Sequence, residues 1–153
     1  YEIPKRDWSS DVCSSDLAGL RLIFVLIMPW AGALGISLAA FVMALRDPEL
    51  TMALAALNGG VTGIAPVLAR QVAVTRMGLS DDLSELNWLK LIKLCVLFGL
   101  FSSTCHQAFF AWLGRDAGLF AGAIPMFVGD TLGAIVCLYL MKTALSLRSR
   151  LFL

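Results

Sequence analysis

Leu119 to Met141 reads LFAGAIPMFVGDTLGAIVCLYLM, an unbroken apolar stretch with a single charge, Asp130, near its middle. Twenty or so apolar residues in a row match the thickness of a bilayer's hydrocarbon core when coiled as an α-helix. A carboxylate at mid-depth of such a helix costs about 2.5 kcal/mol or more on insertion scales, so it is seldom kept without a role. Two roles stand open for Asp130. One is an interhelical hydrogen-bonding group that holds helices together; the other is a ligand or proton site.

Working outward, three more runs of the same kind precede this one, at Leu22 to Leu45, Leu50 to Ala69 and Leu91 to Leu113. The chain is 59% hydrophobic, with a mean hydropathy of +0.82. Soluble core helices do not need apolar runs of this length. A membrane barrel would instead show roughly ten-residue alternating segments, and four strands cannot close one. The expectation is an all-α, polytopic helical membrane bundle with four transmembrane helices, arranged as two hairpins.

Positive charge near span ends marks the cytoplasmic side. Arg21, Arg70, Arg76, Lys90, Lys93, Lys142, Arg148 and Arg150 gather on one side; Arg46 and Arg115 stand on the other, beside Asp47, Glu49 and Asp116. Both ends of the stretch are therefore expected in the cytoplasm of a bacterial inner membrane. Lys93, just inside its span, is expected to snorkel inward. Between the second and third spans, Ser80 followed by Asp81 and Asp82 reads as a helix cap. Leu83, Leu86 and Leu89 then recur at helical spacing, with Trp88 suited to headgroup level, as in an interfacial helix or an extension of the third span.

Few polar side chains lie inside the spans. At about 1.5 Å of rise per residue, Asn58, His106 and Asp130 sit roughly 12, 10 and 16 Å from the outer ends of three different helices. These similar depths point to a shared polar pocket, ligand-binding or proton-linked, with Gln107 and Thr131 as further hydrogen-bonding lining. The competing expectation is a dry interhelical network, worth about 0.6 kcal/mol per contact. Gly59 and Gly63, and Gly129 and Gly133, each stand four apart and form small faces for close helix packing. Pro29, Pro66 and Pro125 are candidates to kink or open three of the spans.

Other chemistries find little support. Cys95, Cys105 and Cys137 form no CxxC pair and His106 is the sole histidine, whereas a zinc site wants about four such ligands. No phosphate loop and no nucleophile constellation is present, and the basic residues follow topology. No metal, cofactor, catalytic residue or nucleic-acid partner is expected. The expected partners are the lipid bilayer, a small polar ligand entering from the periplasmic side, and helices of a missing half or another subunit.

Asp7 to Leu17, DWSSDVCSSDL, resembles the conceptual translation of a common sequencing adapter, and the match extends to Tyr1. It lacks the charged start, apolar core and small-residue cleavage site of a signal peptide. Residues 1–17 are accordingly read as non-native, and residues 18–153 as a transmembrane domain forming the C-terminal part of a larger bundle.

Gly129, Asp130, Leu132 and Gly133, with Leu57-Asn58, Pro66 and the Leu83 to Leu91 stretch upstream, resemble the second half of the bacterial membrane-associated sensor domain of the first type. That resemblance covers most of Ala18 to Thr143. It implies a bundle of about eight spans preceding a cytoplasmic signalling module, hence a sensory domain fragment; only about a dozen residues follow the last span here. From the resemblance, only Gly129 and Asp130 carry over as family positions. A second expectation is a small-solute transport component, similar to the substrate-binding membrane subunits of energy-coupling-factor transporters.

Overall fold

A computed structural model describes residues 8–48, 50–78, 87–114 and 119–151, with side chains for 18–48, 50–78, 87–114 and 121–143. Among the described residues the chain is entirely helical, with no strand. The elements are α1 (Trp8–Ile27), α2 (Pro29–Ala44), α3 (Met52–Met77), α4 (Trp88–Trp112), a π-helical turn (Leu119–Ala123) and α5 (Ile124–Leu151). Three segments, Met52–Met77, Trp88–Trp112 and Ala121–Thr143, are long and apolar enough to cross a membrane.

The first apolar run departs from the single span expected over Leu22 to Leu45. Pro29 has no N–H to return to the preceding turn, and its ring drives Met28 out of the helical region, to φ −133° and ψ 83°. α1 therefore ends at Ile27, and Pro29 opens α2 at a position helices accept. Hydrogen bonds from Met28 N to Phe24 O and from Gly32 N to Met28 O, 2.8 and 2.7 Å, still bridge the break. The bend is sharp enough that Gly32 lies against the Phe24 and Val25 backbone, where any Cβ would collide. Only the shorter apolar helices Ala18–Ile27 and Pro29–Ala44 result.

The other two prolines behave differently. Pro66 is buried inside a continuous α3. Pro125 is the second residue of α5, directly after the π-helical turn Leu119–Ala123. Thr51 caps α3 by accepting from Leu54 N, and Gly78 ends the helix in the left-handed region at φ 58°. Asn87 caps α4, accepting from Trp88 N at 2.7 Å. Ser80, Asp81, Asp82, Leu83 and Leu86 lie outside the described residues, as do Tyr1 to Asp7 of the adapter-like stretch; the backbone of Trp8 to Leu17 is continuous with α1.

α1, α3, α4 and α5 close around a common interior, and α2 lies outside them against α3. Glycines set the crossings. Gly59 and Gly63 of α3 meet Ser37, Phe41 and Ala33 of α2, and Gly19 of α1 meets Gly133 and Cys137 of α5. Of the glycines expected as packing positions, Gly59 and Gly63 lie at the α2–α3 crossing, the Gly133 carbonyl lies against Gly19, and Gly129 is half-buried. Below these crossings, Leu22, Ala69, Ala73, Leu94, Cys95, Phe98, Ala134 and Leu138 form one apolar core. At its far end Trp88 packs edge-on against Tyr139, centroids 5.8 Å apart. Lys142 Nζ lies 5.4 Å from the Trp88 ring, a cation–π contact suited to an interface.

Candidate functional site

One helical turn or two beyond that core, four helices each bring polar groups toward one level. α4 supplies the pivot. His106 is 7% exposed and Ser102, one turn earlier, is 1% exposed. The imidazole Nδ1 lies 2.9 Å from the Ser102 carbonyl, and that carbonyl can only accept, so Nδ1 carries a hydrogen. The Ser102 hydroxyl donates to the Asp130 carboxyl of α5. Backbone and side chain of one serine thus connect His106 to Asp130 across the α4–α5 contact.

α3 enters on the other side of the ring. Thr62 Oγ1 lies 3.2 Å from His106 Nε2 and donates to the Asn58 carbonyl at 2.8 Å. Asn58 therefore takes part through its backbone, as the last acceptor of the chain of hydrogen bonds. α1 contributes a cation. Arg21 is half-buried, and its charge acts on both Asp130 and His106. Expected among the flanking positive residues, it stands one turn after the adapter-like stretch and within electrostatic reach of the carboxylate. The asymmetry of the remaining positive residues does not depend on it.

Two expected members stand apart from this chain. Thr131 is buried with its hydroxyl lodged over Gly99 of α4, and Gln107 spreads its amide over Gly122 of the π-helical turn. Thr131 Oγ1, Gln107 Oε1 and Asp130 Oδ2 are all buried without a hydrogen-bond partner. Buried polar atoms are nearly always paired, and an unpaired one costs about 1–3 kcal/mol. Three of them on facing sides of α4 and α5 are a chemically demanding feature. Phe110 closes the outer side of His106, with ring centroids 6.3 Å apart.

Sequence reasoning brought His106 and Asp130 to one level and missed Arg21, Thr62 and Ser102. The hydroxyl residues carried a usable signal: Thr62 stands four residues after Asn58, and Ser102 four before His106, so each shares a face with a residue already singled out. No protein-family model, no curated protein and no solved structure matches the chain.

Proposed function

We propose that the chain is the membrane-embedded part of a sensory or ligand-binding protein of the bacterial inner membrane. In this reading four crossings, the first broken at Pro29, carry it through the bilayer, with both ends of the stretch on the cytoplasmic side. The observation that carries the functional part is the buried assembly of Arg21, Asp130, Ser102, His106 and Thr62, drawn from four helices, with Asp130 Oδ2 unpaired. Packing alone would be served better by apolar residues, since membrane hydrogen bonds contribute only about 0.6 kcal/mol each. Unpaired acceptors near a half-buried cation suit a small polar solute that carries both donor and acceptor groups. Gly129 and Asp130 are also the positions on which the resemblance to the sensor family rests.

The experiment is a thermal-shift screen of the detergent-purified chain against amino acids, hydroxy acids and polyols. A solute that raises the melting temperature of the wild type and not of Asp130→Asn is the expected result. Failure of every such class to shift the wild type would set the reading aside. Topology is tested separately by maleimide labelling of Arg115→Cys, which is expected to proceed from the periplasmic side; labelling from the cytoplasm alone would invert the orientation.

A further inference from the structure

Charge is shared unevenly between the two ends of the bundle. The positive residues that gather on one side, Arg21 apart, outnumber the three acids of that side, Asp81, Asp82 and Glu85, by more than two to one. At the other end Arg46 and Arg115 are outnumbered by Asp47, Glu49 and Asp116. Within the positive end, α4 and α5 hold one ammonium in a defined place. Trp88 opens α4 and packs edge-on against Tyr139 of α5. Lys142, one turn after Tyr139, sets its Nζ 5.4 Å from the Trp88 ring centroid. Lys90, by contrast, reaches across to the Gly78 carbonyl at 3.4 Å.

No described carboxylate stands beside Lys142. Asp130 lies roughly 18 Å back along α5, and Asp47 belongs to the α2–α3 connection at the other end. A cation over an indole face keeps N–H donors directed away from the ring. Around it the surface is apolar: α4 exposes Leu89 and Val96, and α5 exposes Val136 and Leu140. The cation therefore sits at the margin of a lipid-facing surface, where a negatively charged partner with an apolar body would meet both.

We infer that the corner formed by Trp88, Tyr139 and Lys142 binds the phosphodiester headgroup of an anionic phospholipid. Lys142 supplies a point charge that can take a phosphate oxygen while keeping its ring contact. The Trp88 indole N–H and the Tyr139 hydroxyl are donors at the level of the lipid esters, and the exposed flanks receive the acyl chains. An acidic peptide would match the charge and leave those flanks uncovered. The inference rests on the chain crossing a bilayer and not on a solute at Asp130, so the two readings fail separately.

Tryptophan quenching by brominated lipid reads which lipid lies beside a given ring. Two chains are reconstituted into phosphatidylcholine bilayers, one keeping only Trp88 and the other only Trp112 at the far end of α4, with the remaining tryptophans changed to phenylalanine. Each bilayer contains the same minor share of acyl-brominated lipid, either phosphatidylglycerol or phosphatidylcholine. At Trp88 the brominated phosphatidylglycerol should quench more, corresponding to about fivefold local enrichment; at Trp112 the two should quench equally. Lys142→Gln should abolish the difference at Trp88 while leaving quenching by brominated phosphatidylcholine unchanged, the sign that the ring still stands at the membrane surface. Lys142→Arg, which keeps the charge, should retain the preference. No preference at Trp88, an equal preference at both tryptophans, one that survives Lys142→Gln, or one lost in Lys142→Arg would each overturn the assignment.

Discussion

Replacing Ser102 by alanine removes the hydroxyl that reaches from α4 to the Asp130 carboxyl while leaving the Ser102 carbonyl, and with it the His106 Nδ1 bond, in place. The lost atom is small and the site is 1% exposed, so little packing changes. The electrostatic consequence is larger. Asp130 Oδ2 already lacks a partner, and the substitution strips the carboxyl of its serine donor as well. A buried polar group left unpaired costs about 1–3 kcal/mol, more when charged, against about 0.6 kcal/mol for an average membrane hydrogen bond. A loss of about 2 kcal/mol is therefore expected. Ser103 provides the internal standard: it is also buried, but its hydroxyl donates to Leu100 O of its own helix at 3.2 Å. Ser103→Ala should cost below about 0.5 kcal/mol, since it removes only local back-bonding. Unfolding in mixed detergent micelles, followed by tryptophan fluorescence, measures both. Equal losses for the two variants would refute the Ser102–Asp130 link.

Other consequences follow from the packing. A methyl added at Gly63 would run into Ser37 and the Ala33 carbonyl, whereas one added at Gly60 meets nothing within 4 Å; Gly63→Ala should destabilise and Gly60→Ala should be neutral or gain up to about 1 kcal/mol of helix propensity in the same unfolding assay. Phe98, 1% exposed at the centre of the core, should cost about 3 kcal/mol or more on truncation to alanine, read from the unfolding midpoint. Pro29→Ala restores the missing N–H and lets α1 run on into α2. Spin labels at Leu20 and Leu34 should then move apart toward the roughly 21 Å of a straight helix, and an unchanged distance would show that contacts of Gly32, rather than the proline, hold the bend.

How far the structure was legible beforehand depended on which physical signal each residue carried. Continuous apolar length identified the helices over Met52–Met77, Trp88–Trp112 and Ala121–Thr143, because a membrane-length helix needs nothing more than composition. The break at Met28 was named only as one of three proline candidates. A proline inside an apolar run is compatible with a break, as at Pro29, a continuous helix, as at Pro66, or a switch from π- to α-helix, as beside Pro125, and neighbouring packing decides among them. His106 and Asp130 were found by depth alone. Ser102 and Thr62 were not, since serine and threonine are common in membrane helices and can satisfy themselves on their own backbone, as Thr75 and Thr143 do here. The electrostatic reach of Arg21 to Asp130 was not legible for a related reason. An arginine at the end of an apolar run normally marks the interface, and only the packing of α1 on α5 brings this one within electrostatic reach of a carboxylate.

The most direct measurement on the buried charge assembly is a double-mutant cycle on unfolding free energy with Arg21→Met and Asp130→Asn. If the guanidinium and the carboxyl face each other inside the helical bundle, each single change leaves the other group uncompensated, and the double variant should be more stable than the sum of single losses implies by about 1 kcal/mol or more. Strictly additive losses would place Arg21 at the surface and dissolve the four-helix site.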